Sequence, residues 1–142
     1  MAEDPDRLMA RDLRRLWLDL RAHVERELAE AGFGDVTAPH LAVVAHPGPE
    51  GERPSTLAER AGMSKQAMNH LIGHLERRGY LERRPDPDDS RARLLHLTPR
   101  GEKLTRQVTE AVSALEREWA ERVGPERYEA VRAALRALAD PR

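Results

Sequence analysis

Apolar residues recur at three- and four-residue steps along most of the chain, the signature of helices with one buried face. Over residues 7–31 the stripe is Met9, Leu13, Leu16, Trp17, Leu20, Val24, Leu28 and Ala31, with Arg, Asp and Glu between. Gly32-Phe33-Gly34 ends this helix. A short helix over 40–46 follows Thr37, an N-cap, with Pro39 in its first turn. Pro47-Gly48-Pro49-Glu50-Gly51 breaks the pattern. A third helix starts at Ser55 or Thr56, where Thr56-Leu57-Ala58-Glu59 fits a capping box, and runs to Ala61. After a tight turn at Gly62-Met63, a longer helix occupies 64–78 and stops at Gly79.

The period then changes. Residues 80–84 and 92–97 read as a hairpin around the tip Pro85-Asp86-Pro87-Asp88-Asp89-Ser90-Arg91. Thr98-Pro99 opens a fifth helix as N-cap and first-turn proline. Its stripe is Leu104, Val108, Val112, Leu115, Trp119 and Val123. Gly124-Pro125 interrupts, and a sixth helix continues with Tyr128, Val131, Leu135 and Leu138.

The fold class expected is mainly α: a winged helix–turn–helix with a small β-hairpin wing, flanked by long N- and C-terminal dimerisation helices. The division is 1–36 for the N-terminal dimerisation helix, 37–101 for the DNA-binding domain and 102–142 for the C-terminal dimerisation helices. The terminal helices are too long and amphipathic to bury every stripe within one small chain, so a two-fold homodimer is expected.

Composition sharpens this. Two Trp, two Tyr and one Phe leave the core to Leu, Val and Ala, which favours helices over sheets. The formal net charge is only −1, so overall charge gives no pull toward nucleic acid. Its distribution matters more: residues 1–36 carry nine acids and six bases, whereas 52–84 carry seven bases and four acids. The positive region thus coincides with the helix–turn–helix, where phosphates need it. The absence of cysteine removes disulfides, thiolate metal sites and thiol redox switching. With no basic-then-apolar leader and no apolar run of the ~18 residues a membrane span needs, a soluble cytoplasmic protein is expected.

On the helix 64–78, Ala67, Met68, Leu71, Ile72 and Leu75 fall on one face, and Lys65, Gln66, Asn69, His70, Gly73, His74 and Arg77 on the other. The second helix of a helix–turn–helix enters a major groove. Gln and Asn grip adenine there through two hydrogen bonds, and Lys65 and His70 suit guanine acceptors or phosphate. Ser64 and the free N–H groups at the helix start suit a phosphate, and Gly73 allows close backbone approach. The hairpin presents Arg91 toward a neighbouring minor groove or phosphate.

The runs Thr56-Leu57-Ala58-Glu59-Arg60-Ala61-Gly62-Met63-Ser64-Lys65-Gln66, Leu75-Glu76-Arg77-Arg78-Gly79-Tyr80-Leu81-Glu82-Arg83, Asp86-Pro87-Asp88-Asp89-Ser90-Arg91-Ala92 and Leu97-Thr98-Pro99-Arg100-Gly101 together resemble the MarR family of bacterial transcriptional regulators. The distinctive part is Asp-x-Arg followed by Leu-Thr-x-x-Gly, on Asp89, Arg91, Leu97, Thr98 and Gly101. The helix order extends the resemblance over essentially the whole chain. It implies a dimeric repressor or activator, here a repressor of a palindromic operator. Arg91 would enter a minor groove while Asp89 holds its guanidinium. It also implies a small aromatic effector between the dimerising helices and the DNA-binding lobe, with Trp17, His40 and His46 as lining candidates. Trp17 nonetheless reads more readily as core packing, with the two histidines partly exposed, and Trp119 reads as dimer core rather than ligand contact.

The DNA-binding residues expected are therefore Ser64, Lys65, Gln66, Asn69, His70, His74, Arg77, Asp89 and Arg91. His70 and His74 lie one turn apart, but no carboxylates at ligand spacing accompany them, so neither metal nor cofactor is expected. The partners are double-stranded DNA, a second copy and a possible small-molecule effector, with no membrane. No nucleophile–base pairing or phosphate loop supports an enzyme. A winged-helix protein adaptor is the alternative, but it would present exposed Leu, Phe or acid where this helix is polar and basic.

Overall fold

A computed structural model describes residues 8–45 and 47–140. Six helices and one hairpin follow in the order α1 (Met9–Glu30), α2 (Ala38–Val44), α3 (Pro54–Arg60), α4 (Lys65–Arg77), β1 (Leu81–Asp86), β2 (Asp89–Leu97), α5 (Pro99–Val123) and α6 (Pro125–Ala139). This is the mainly helical, winged arrangement that the periodicity predicts.

Local chemistry sets most boundaries. Thr98 caps α5 by accepting the Gly101 N–H at 3.1 Å, and Ser64 caps α4 by accepting the Ala67 N–H at 3.1 Å. Gly62 turns the chain between α3 and α4 at φ +62, a left-handed conformation that a side chain disfavours. The expected capping box at Thr56 does not form. Instead, α3 starts one or two residues earlier, with Pro54 at its first position and Arg53 before it. Proline there has no N–H to leave unsatisfied and its φ is already helical. The short α2 starts after Thr37, as expected, with the backbone N–H of Thr37 donating to His40 Nδ1 at 3.0 Å.

The core joins α1, α2, α3, α4, the hairpin and α5 through Val24, Leu28, Val43, Leu57, Met68, Ile72, Leu75, Tyr80, Leu95 and Leu104. The stripe of α1 divides along its length. Val24 and Leu28 seal this core, while Met9, Leu13, Leu16 and Trp17 stay exposed in the single chain. Trp17 is 58% exposed, so it is not packed in this chain's own core. Likewise α6 buries no residue and leaves Val131, Leu135 and Leu138 bare.

The strands reach further into the tip than expected, leaving only Pro87 and Asp88 as the turn. Antiparallel register runs from Leu81↔Leu97 to Pro85↔Arg93 and then jumps to Asp86↔Asp89. Ser90, Arg91 and Ala92 are therefore unmatched, an extended bulge of the kind that re-aims side chains. The sequence reading missed a third piece of sheet: Glu52 and Leu95 exchange both backbone hydrogen bonds, at 3.0 and 2.8 Å.

Candidate nucleic-acid interface

Helix α4 is seated by Met68, Leu71, Ile72 and Leu75, all buried. These positions repeat at three and four residues, so the opposite side is left to solvent. There Ser64, Lys65, Gln66, Asn69, His70 and Arg77 are exposed. Ala67, expected on the seating face, is exposed with them and adds a methyl group to the polar surface. Gly73 is covered by the end of Arg77, whose guanidinium nitrogen lies 3.1 Å from where a Cβ would stand. A larger residue at 73 would push that guanidinium aside.

His74 departs from this set. It is half-buried, its Nε2 donates to the Asp35 carbonyl at 2.9 Å, and its ring stacks on His40 at 4.3 Å. Its position on the helix edge brings it against α2, so its ring is committed to the protein interior. Burial, followed by the neighbouring His74, holds the His40 imidazole below its ordinary pKa. Neutral His40 is also what the α2 cap needs, since Nδ1 accepts the Thr37 N–H only when unprotonated.

Asp35 is the junction of the two halves of the fold. The Tyr80 hydroxyl donates to Asp35 Oδ1 at 2.7 Å and accepts from Arg100 at 3.1 Å. Arg78 and Arg100 approach the other carboxylate oxygen at 4.0 and 3.9 Å. Burial, more than any other influence, raises the Tyr80 pKa, so the hydroxyl keeps its proton. Gly101 completes the junction: a Cβ there would lie 2.2 Å from the Tyr80 carbonyl oxygen. This contact gives a physical reason for a glycine in Leu-Thr-x-x-Gly.

Charge on the surface separates into neutralised and free groups. Arg83 pairs with Glu76, Arg84 with Glu82, Arg60 with Glu52 and Arg53 with Asp86. Among the described residues, Lys65 and Arg77 on α4 and Arg91 and Arg93 on the wing form no ion pair. Arg93 was not singled out from the sequence; it is exposed just beyond the bulge that carries Arg91. Glu76, the one acid within α4, is occupied by Arg83 at 3.0 Å.

The wing corrects one expectation. Asp89 does not hold the Arg91 guanidinium; its Oδ1 accepts the Arg91 backbone N–H at 3.0 Å. A carboxylate two residues before a backbone N–H readily closes such a turn. Asp86, three residues earlier, instead holds the guanidinium of Arg53, and it is the only buried polar or charged side chain among the described residues. Its Oδ2 accepts from Arg53 at 2.9 Å and its Oδ1 accepts the Asp88 N–H at 2.9 Å. The Asp88 N–H first, and Arg53 second, keep its pKa below the usual carboxylate value.

Of the expected effector residues, Trp17 lines an apolar crevice of about 500 Å³ with Leu20, Val24, Leu41, Val108 and Val112. His40 does not line it, because its ring is on the side of α2 that meets His74. His46 lies outside the described residues. Among the described residues, no three His, Asp or Glu side chains gather as a metal site, and no helix is long and apolar enough to cross a membrane.

Residues 34–92 match a family model described as the MarR family. The chain is 34% identical over 87 residues to the HTH-type transcriptional regulator PetP of Rhodobacter capsulatus. That alignment covers 61% of this chain and 52% of PetP, so the chain matches about half the length of that curated relative. Transcriptional regulator Tm0710 of Thermotoga maritima superposes at a TM-score of 0.64 with 26% identity, covering 92% of this chain and 90% of the other. CouR of Rhodococcus jostii RHA1, solved with p-coumaroyl-CoA, shares the fold at a TM-score of 0.79 and 22% identity, covering 99% and 98%.

Proposed function

We propose, from the match of residues 34–92 to the MarR family model and the similarity to PetP, that the chain is a MarR-family transcriptional regulator, a homodimeric repressor that binds a palindromic operator. In this reading 37–101 is the DNA-binding unit, and the dimer forms through 1–36 and 102–142. Helix α4 enters the major groove, with Gln66 and Asn69 on base edges and Lys65 and His70 on guanine acceptors or phosphate. Ser64 and Arg77 hold backbone phosphates, and Arg91 reaches the minor groove. The observation that carries this is the exposed face of α4. Its amides, imidazole and unpaired cations face solvent together, and its single acid is already neutralised.

The bare apolar residues of α1 and α6 support the dimer, since surfaces of that kind are ordinarily covered by a partner. The crevice at Trp17 supports an apolar or aromatic effector bound between α1, α2 and α5. Such a ligand acts by favouring a spacing of the two α4 helices that no longer fits DNA. CouR, which shares the fold, has been solved both with p-coumaroyl-CoA and on a 23-mer DNA duplex. Cytoplasmic action follows from a DNA target.

The test is selection of bound duplexes from a random pool, with wild type and Arg91→Ala in parallel. The expected result is an inverted repeat with half-sites about one helical turn apart, bound more weakly by the variant. No enrichment from a folded, ligand-free dimer would refute the proposal.

A further inference from the structure

Two adjacent residues hold the wing by both of its strands. The backbone of Glu52 pairs with Leu95 of β2, and the side chain of Arg53 reaches Asp86 at the end of β1. Arg53 immediately precedes α3, which packs on α4. Asp86 lies where the register breaks, opposite Asp89 and at the base of the unmatched segment that carries Arg91. The Arg53–Asp86 contact thus links α3 to the loop presenting Arg91, across 33 positions of sequence. Asp86 is buried with both oxygens occupied, while the Arg91 guanidinium is free.

We propose that the Arg53–Asp86 ion pair is the strut that fixes the wing relative to α4, so that both residues are positioning residues for DNA binding, acting through Arg91. This rests on the DNA-binding reading above. A tethered Arg91 enters its groove without first ordering the loop, whereas a released one loses affinity to that ordering. The strut also fixes the distance between groove contacts made by α4 and by the wing. Its loss therefore blunts the wing contact and leaves base preference under α4 unchanged.

The experiment uses the full chain with Asp86→Asn, Arg53→Gln and Arg91→Ala, singly and in pairs, on the selected duplex. Backbone amide exchange is measured alongside on the DNA-free proteins. Each strut variant should bind about tenfold more weakly and lose almost nothing further when Arg91 is already alanine. In the free protein, exchange should quicken over 87–93 and stay unchanged over 65–77. Arg53 is half-exposed, so Arg53→Gln remains informative if Asp86→Asn fails to fold. Additive losses with Arg91→Ala would overturn the proposal, since Arg53 or Asp86 would then act on DNA independently. Unchanged exchange in the wing would overturn it as well. A wild type that enriches no duplex would refute the DNA-binding reading instead, and amide exchange would still decide whether the strut holds the wing.

Discussion

Replacing Tyr80 by phenylalanine isolates the junction between the terminal helices and the DNA-binding lobe. The ring is completely buried and stays so in the variant; only the hydroxyl, at 2.7 Å from Asp35 and 3.1 Å from Arg100, is removed. A hydrogen bond to a charged partner contributes about 1.5–3 kcal/mol. Two features reduce that figure. The Asp35 side chain is 18% exposed and admits water, and Arg78 and Arg100 remain within 4.0 Å. The expected loss is about 1–2 kcal/mol. With a urea slope of about 2 kcal/mol/M, the midpoint moves down by about 0.5–1 M. Wild type and variant should be compared at one protein concentration, because association adds to apparent stability. A midpoint shift under about 0.15 M, with the slope unchanged, would mean that water replaces this hydroxyl at no cost and that the junction is not held through it.

Gly101→Ala places a Cβ against the Tyr80 carbonyl, a backbone atom that cannot step aside. A loss of about 2–3 kcal/mol is expected from the same denaturation, and an undisturbed midpoint would refute the close approach. Stability should also fall in mild acid. The folded pKa of His40 lies below its unfolded value of about 6.5, so the unfolded chain binds more protons between the two. The contribution of His40 is complete above about pH 6.5 and is lost as pH falls from there toward the folded pKa. His74 and His70 oppose its charging and Asp35 favours it. His40→Asn keeps an acceptor for the Thr37 N–H without titrating, and should flatten that part of the profile; an equally steep profile would exonerate His40.

The helices were legible because their signals are local. Ser64 and Thr98 accept neighbouring N–H groups, Pro99 supplies a helical φ with no N–H to satisfy, and the three- and four-residue stripe names the seating face of α4 apart from Ala67. The start of α3 was misread because Pro54 competes with Thr56 for the boundary, and a proline already in helical φ wins. What stayed hidden is long-range. The Glu52–Leu95 pairing, the Asp35–Tyr80 bond and the Arg53–Asp86 pair join residues 33 to 45 positions apart. No periodicity reports them. His74 shows the same limit within the candidate site: helical phase places it beside the exposed residues, but only the packing of α2 turns its ring inward. The wing was half-legible: the sequence places Arg91 on its exposed edge, but the expected partner Asp89 closes a turn instead, and nothing local reports that Asp86 holds Arg53.

Helix α5 runs unbroken for 25 residues from Pro99 to Val123, about 37 Å at 1.5 Å per residue. One end rests on the Tyr80 carbonyl, at the root of the wing, and the other reaches Trp119 and Val123 near the bare apolar surface. A rod of this length is a lever. Tilting it by about 5° around one end displaces the other by about 3 Å, comparable to the length of a hydrogen bond. A tilt of that size cannot leave the lobe untouched, because Leu104 sits in its core and Gly101 rests on the Tyr80 carbonyl, so the position of the terminal helices and the packing at the root of the wing are set together.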